Sequence, residues 1–220
     1  MLEEWLEPDS VNFFLKHHLC KRQPFAKPQA AQSSTWIFKW NTLDRLLAKP
    51  AADTLAISRG KVVERLIPRD LSETRSLLGD GIGLVIRHAE QLDSALADLA
   101  HSLTETVPGK AHIQLFVTPA GTYGFSWHYD REEVFVVQTE GVKDYFFREN
   151  TVELRKNAAP DFTRFRDEVS PMGSVRLVEG DWLYIPTPWW HVAKCIEDSL
   201  SISIGVSPDK SWLAAIKVAD

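Results

Sequence analysis

Gly180-Asp181-Trp182-Leu183-Tyr184-Ile185-Pro186-Thr187-Pro188-Trp189-Trp190-His191 is the stretch from which the fold of this chain is read. The Gly-Asp pair marks a turn, residues 182–185 an apolar strand, and the two prolines a corner that a regular strand cannot continue through. Such a corner aims the following histidine, His191, inward. The same texture runs from residue 111 to residue 207. Short β-rich runs at 112–117, 134–138, 145–148, 175–178, 182–185 and 199–206 alternate with Gly, Pro, Asp and Asn, the spacing of a β-sandwich or barrel.

The first half reads differently. Residues 9–19 begin with capping types and then place Val11, Phe14, Leu15 and Leu19 at helical spacing. A loop is expected over 23–34, and a short helix from Asn41 to Leu47 that Pro50 ends. Residues 54–58, 61–67 and 84–86 look like short strands, and 90–103 an amphipathic helix on Leu92, Leu96, Leu99 and Leu103. The glycine cluster at 79–83 has neither the spacing of a dinucleotide loop nor the Lys-Ser/Thr of a phosphate loop. The simplest architecture is mainly β with flanking helices: one domain over 1–220, with a helical and short-strand layer at 1–110, a β-barrel core at 111–207 and a terminal segment at 208–220.

Composition bounds the function classes. The chain has 220 residues, 44% hydrophobic and 25% charged, ordinary values for a folded globular protein. Its net charge of −5 argues against a nucleic-acid-binding face and suits a basic partner. The acidic start shows no secretory signal, no apolar run is long enough to span a membrane, and two cysteines, Cys20 and Cys195, make no disulfide framework. A cytoplasmic location is the expectation. Trp212, Leu213 and Ile216 form a terminal apolar stripe that docks on the barrel or on a second copy, with a homodimer slightly favoured.

The candidate chemistry lies at two places. In His128-Tyr129-Asp130, residues two apart on a strand project to the same face and can reach one ion together. His191 supplies a third donor. Two histidines and one carboxylate inside a barrel leave coordination positions open, the facial arrangement of non-haem Fe(II) oxygenases. A cupin with three histidines and a glutamate would instead need His at 130 and an acid near Val134.

The segment Thr118-Pro119-Ala120-Gly121-Thr122-Tyr123-Gly124-Phe125-Ser126-Trp127-His128-Tyr129-Asp130 resembles the iron-binding strand of the JmjC-type, cupin-fold 2-oxoglutarate oxygenases. Val134-Phe135-Val136-Val137-Gln138-Thr139-Glu140-Gly141-Val142-Lys143-Asp144-Tyr145 resembles that family's Phe-x-x-Gln-x-x-Gly-x-Lys-x-aromatic run, and Gly180 to His191 its Gly-Asp-x-Leu-Tyr-Ile-Pro-x-x-x-x-His segment. The likeness is to the ribosomal-oxygenase and asparaginyl-hydroxylase-like branch, and it implies a double-stranded β-helix (cupin, jelly-roll) barrel behind an N-terminal helical layer. It implies Fe(II) held by His128, Asp130 and His191, and 2-oxoglutarate as co-substrate with its distal carboxylate on Lys143. Ser203, Tyr123 and Gln114 are further candidate co-substrate contacts, with Ser201 and Tyr145 beside them. Trp127, Trp189 and Trp190 are candidate pocket walls. The implied activity is hydroxylation of an amino-acid side chain in a protein or peptide; a small-molecule hydroxylase and a catalytically silent metal-binding cupin are the alternatives. Two departures from the family pattern stand out: Pro188 replaces a glycine common at the proline corner, and Phe125 stands where some relatives carry a hydroxyl.

Overall fold

A computed structural model describes residues 1–63, 67–152 and 161–218. The N-terminal layer comprises α1 (Leu2–Leu6), α2 (Val11–Phe14) running into a π-helical turn at Leu15–Leu19, β1 (Phe25–Lys27), a 3-10 turn at Gln32–Ile37, and α3 (Trp40–Leu47). It continues with β2 (Asp53–Ser58), β3 (Lys61–Val63), α4 (Leu71–Gly79), β4 (Gly83–Arg87), a 3-10 turn at Ala89–Gln91 and α5 (Ser94–Thr106). The second half holds β5 (Gly109–Thr118), β6 (Glu133–Glu140), β7 (Lys143–Arg148), a 3-10 segment at Phe162–Asp167, β8 (Met172–Leu177), β9 (Trp182–Ile185), β10 (Trp190–Cys195), β11 (Ser199–Pro208) and α6 (Lys210–Val218).

The strands form two antiparallel sheets, an eight-stranded one in the order β1-β9-β6-β11-β5-β4-β2-β3 and a three-stranded one in the order β10-β7-β8. Alternation decides what each face of the large sheet does, because successive side chains point to opposite sides. Ile113, Leu115 and Val117 of β5, Phe135 and Val137 of β6, Trp182 and Tyr184 of β9, and Ile202, Ile204 and Val206 of β11 join Leu2, Trp5, Phe14 and Leu96 in the main core. The opposite face turns toward the small sheet. There Val134, Val136, Leu183 and Ile185 pack with Tyr145 and Leu177 in a second core. The helical layer therefore covers one face of the large sheet and leaves the other for the space between the sheets, the double-stranded β-helix arrangement expected from sequence.

Several expectations are revised. The loop expected over 23–34 contains β1, whose Phe25 pairs with Tyr184 and packs on Phe14 and Trp182; a three-residue edge strand is created by its partner, not by periodicity. The helix expected from residue 90 starts at Ser94, where the Asp93 carboxylate accepts from the Ala95 N–H. Only 61–63 of the strand expected at 61–67 are in β3; residues 64–66 lie outside the described residues. Sequence patterning missed α4, which buries little beyond Thr74 and Leu78, and β10. Trp212, Leu213 and Ile216 of α6 pack against this chain's own main core.

Candidate metal and co-substrate site

His128 lies on an irregular segment between β5 and β6, not on the regular strand expected for His128-Tyr129-Asp130. Its backbone makes an isolated antiparallel bridge with His191, each donating its N–H to the other's carbonyl, at 3.2 and 2.8 Å. The two imidazoles are thereby cross-strand neighbours on one face, with ring centroids 4.2 Å apart. Asp130 follows on the same irregular segment. Its Oδ2 lies 3.3 Å from His191 Nε2 and 4.0 Å from His128 Nε2, and the three donor atoms all lie within 4.8 Å of one another.

The tautomers follow from the second nitrogen of each ring. His128 Nδ1 is 2.8 Å from the Ser126 carbonyl and His191 Nδ1 is 3.1 Å from the Trp189 carbonyl. A carbonyl only accepts, so each Nδ1 carries the proton and each neutral ring turns its Nε2 lone pair toward the carboxylate. Two lone pairs and an anion converging on one point repel unless a cation sits among them. Burial, then the neighbouring His191, pushes the His128 imidazole down to about 4, with Asp130 and the Ser126 carbonyl pulling weakly the other way. Burial raises the Asp130 carboxyl, but its close contact with His191, and then with His128 and His112, outweighs burial and holds the group below its ordinary value. Two neutral imidazoles and a carboxylate are the donor set that suits a divalent first-row metal such as Fe(II) with open positions. Backbone carbonyls orienting the ligating rings are a regular feature of such sites.

These residues face a cavity of about 370 Å³ between the two sheets, lined from the large sheet by Gln114, Phe116, Val134, Val136, Ile185 and Ser203 and from the small sheet by Lys143, Tyr145, His191 and Ala193. Lys143 is 2% exposed. Its ammonium donates to Ser201 Oγ at 2.8 Å and lies 5.7 Å from the Phe116 ring centroid, and among the described residues no carboxylate pairs with it. Burial pushes its pKa down, since an unpaired buried charge costs several kcal/mol. Burial also raises the Tyr145 phenol, which shares Ser201 as a partner. An anionic group entering the cavity would supply a counter-charge.

Gln114 and Ser203 line this cavity as the alternation of β5 and β11 places them. Tyr123 does not: it is 48% exposed and lines a separate outer groove, because its backbone bridges Lys194 on the rim of the small sheet. Phe125 and Trp127 are wall residues, whereas Trp190 is buried against Tyr129 and Phe165 and Trp189 packs on the inter-sheet core. Sequence reasoning missed His112 and Glu132, which meet in the cavity wall with Nε2 and Oε2 3.3 Å apart. His112 stands two residues before Gln114 on β5, so strand alternation could have found it. Glu132 and Glu133 also qualify the expected absence of an acid near Val134; Glu132 is engaged by His112 and by the Ser207 hydroxyl at 2.9 Å.

Residues 86–212, more than half of the chain, match the model of the JmjC domain. The chain belongs to the JmjC domain family. Ribosomal oxygenase 1 of Danio rerio is 31% identical over 131 residues, 58% of this chain and 24% of that protein. The bifunctional lysine-specific demethylase and histidyl-hydroxylase NO66 of Dictyostelium discoideum is 38% identical over 104 residues, 44% of this chain and 20% of that protein. Among solved structures, the ribosomal oxygenase YcfD from Escherichia coli superposes with a TM-score of 0.65 at 19% identity, over 92% of this chain and 52% of that one. YcfD in complex with cobalt and 2-oxoglutarate superposes with a TM-score of 0.63 at 20% identity, over 92% of this chain and 53% of that one. These structures share the JmjC chain's fold, and the chain spans about a quarter or less of the curated relatives and about half of the solved chains.

Proposed function

We propose that this JmjC chain is an Fe(II)- and 2-oxoglutarate-dependent oxygenase that hydroxylates an amino-acid side chain of a protein or peptide. The observation that carries this reading is that a convergent His128, Asp130 and His191 and a buried, carboxylate-free Lys143 ammonium face one cavity. When bound, the metal and keto acid together supply oxidative decarboxylation coupled to oxygen insertion into a C–H bond. His128 and His191 hold the metal through Nε2, with Nδ1 protons anchored on carbonyls, and Asp130 offsets one of its charges. Lys143 takes the distal carboxylate of 2-oxoglutarate, which regains the counter-ion that burial denies the ammonium. Gln114 and Ser203 are the polar contacts along the co-substrate, and Phe116, Val134, Val136 and Ile185 exclude water.

A polypeptide substrate is supported by the outer groove of about 1050 Å³, which shares Gly60, Ser126 and Trp127 with the cavity. The relatives' names point the same way: ribosomal oxygenase, histidyl-hydroxylase and lysine-specific demethylase. Asp130, Glu132 and the net charge of −5 suit a basic target. The layer at 1–110, the barrel at 111–207 and the segment from 208 act in this reading as one unit. A cytoplasmic location is part of this reading; no helix of the described residues is long and apolar enough to cross a membrane. The homodimer has no comparable support, since the α6 stripe is taken up by its own core.

The test supplies iron, 2-oxoglutarate and oxygen and measures succinate, with Asp130→Ala as control. Succinate above that control, and a mass gain of one oxygen atom in the protein fraction of a treated cell extract, are expected. A gain confined to small molecules selects the metabolite hydroxylase, and no succinate above control selects the silent cupin.

A further inference from the structure

Asp130 lies outside any strand, so the sheet ladder does not hold its backbone. What holds it is Thr187, in the proline corner that leads to His191: the Thr187 hydroxyl donates to the Asp130 carbonyl at 2.8 Å. Thr187 is itself anchored. Its N–H donates to Glu133 Oε2 at 3.2 Å, and the same oxygen accepts from the Tyr184 hydroxyl at 2.7 Å. Glu133 is 4% exposed and Tyr184 is fully buried in the main core, where Phe14 and Phe135 pack against its ring. One threonine thus joins the segment carrying Asp130 to the corner carrying His191, and a buried carboxylate ties both to β6 and β9. His128 is joined to the same assembly by its backbone bridge to His191.

We infer that Thr187 is a positioning residue for the metal centre, its hydroxyl fixing the Asp130 carboxylate relative to His191 through a brace anchored on Glu133 and Tyr184. The inference rests on the proposed metal site, and the brace acts through Asp130 without contacting the metal. Without the hydroxyl, the Asp130 carbonyl loses the hydrogen bond that orients its segment, and the carboxylate samples positions away from the two Nε2 atoms.

The experiment is Co(II) binding to the metal-free full chain, read as affinity by calorimetry and as the visible ligand-field spectrum of the loaded protein, with a urea unfolding midpoint beside each. Thr187→Val is expected to weaken Co(II) binding about 10-fold and to change the spectrum. Thr187→Ser, which keeps the hydroxyl, is expected to restore affinity to within about 3-fold and to restore the wild-type spectrum. Should the valine variant fail to fold, Thr187→Ala replaces it with the same expectation. Wild-type affinity and spectrum in the hydroxyl-free variant, or a serine variant as impaired as valine, overturns the brace and leaves the metal site standing. A wild-type protein that binds Co(II) no better than Asp130→Ala overturns the metal site, and the brace with it.

Discussion

Lys143 and His128 show how single side chains carry the candidate site at a cost to the fold. An ammonium that is buried against Ser201 and an aromatic ring, with no carboxylate at hand among the described residues, destabilises the ligand-free protein and stabilises it once an anion arrives. Lys143→Met is accordingly expected to raise the melting temperature of the ligand-free protein while weakening 2-oxoglutarate binding about 100-fold, with Mn(II) affinity unchanged. Calorimetry with each ligand and a thermal scan check all three, and a methionine variant that binds 2-oxoglutarate normally removes Lys143 from the site. For His128 the consequence is a pH dependence. Its folded pKa of about 4 lies below the ordinary 6.5, so between those values the unfolded chain binds a proton that the folded chain does not. Metal-free protein should therefore lose stability as pH falls through that window, by up to about 3 kcal/mol from this group. Urea midpoints at pH 7 and 4.5 should fall less for His128→Asn than for wild type; equal falls would refute the assignment.

Among the elements, β11 shows most directly how a pattern places a site. Ser201, Ser203 and Gly205 alternate with Ile202, Ile204 and Val206, so one face reaches Lys143 and the cavity while the other enters the main core. Gly205 is required by crowding: a Cβ there would stand 2.5 Å from Glu132 Oε2 and 2.7 Å from His112 Cε1. Gly205→Ala should cost about 1–3 kcal/mol and displace His112 and Glu132, read as a lower urea midpoint and a shifted His112 ring resonance. Elements with a clear period were legible: β5, β6, β9, β11, α5 and the α2 region all follow from spacing. Those without one were not. β1 exists because β9 offers it a partner, α4 has too thin an apolar face to signal, and Tyr123 was misplaced because a one-dimensional motif does not say on which side of a sheet rim a loop residue falls.

At the level of the molecule, the helical layer and the barrel share one core through Trp5, Phe14 and Trp182, with the Trp182 indole N–H donating to the Trp5 carbonyl at 3.1 Å. Phe14 touches Phe25, Phe135, Trp182 and Tyr184 at once. Phe14→Ala should cost about 3–5 kcal/mol and lower helical circular dichroism and tryptophan fluorescence midpoints together. Separate transitions would mean that the layer and the barrel melt as independent units.

Strand alternation, capping residues and the order of three motifs are local or linear properties, which is why the β-rich barrel, its helical layer and the candidates His128, Asp130, His191 and Lys143 could be picked out from the chain alone, while His112 and Glu132 were not. Convergence is neither. The backbone bridge between His128 and His191, the lone-pair geometry set by the Ser126 and Trp189 carbonyls, and the tie from Thr187 to Asp130 join atoms far apart in the chain. So does the enclosure of Lys143 between two sheets. Pairwise contacts across long loops have no periodic trace in sequence, and only the packed sheets decide them.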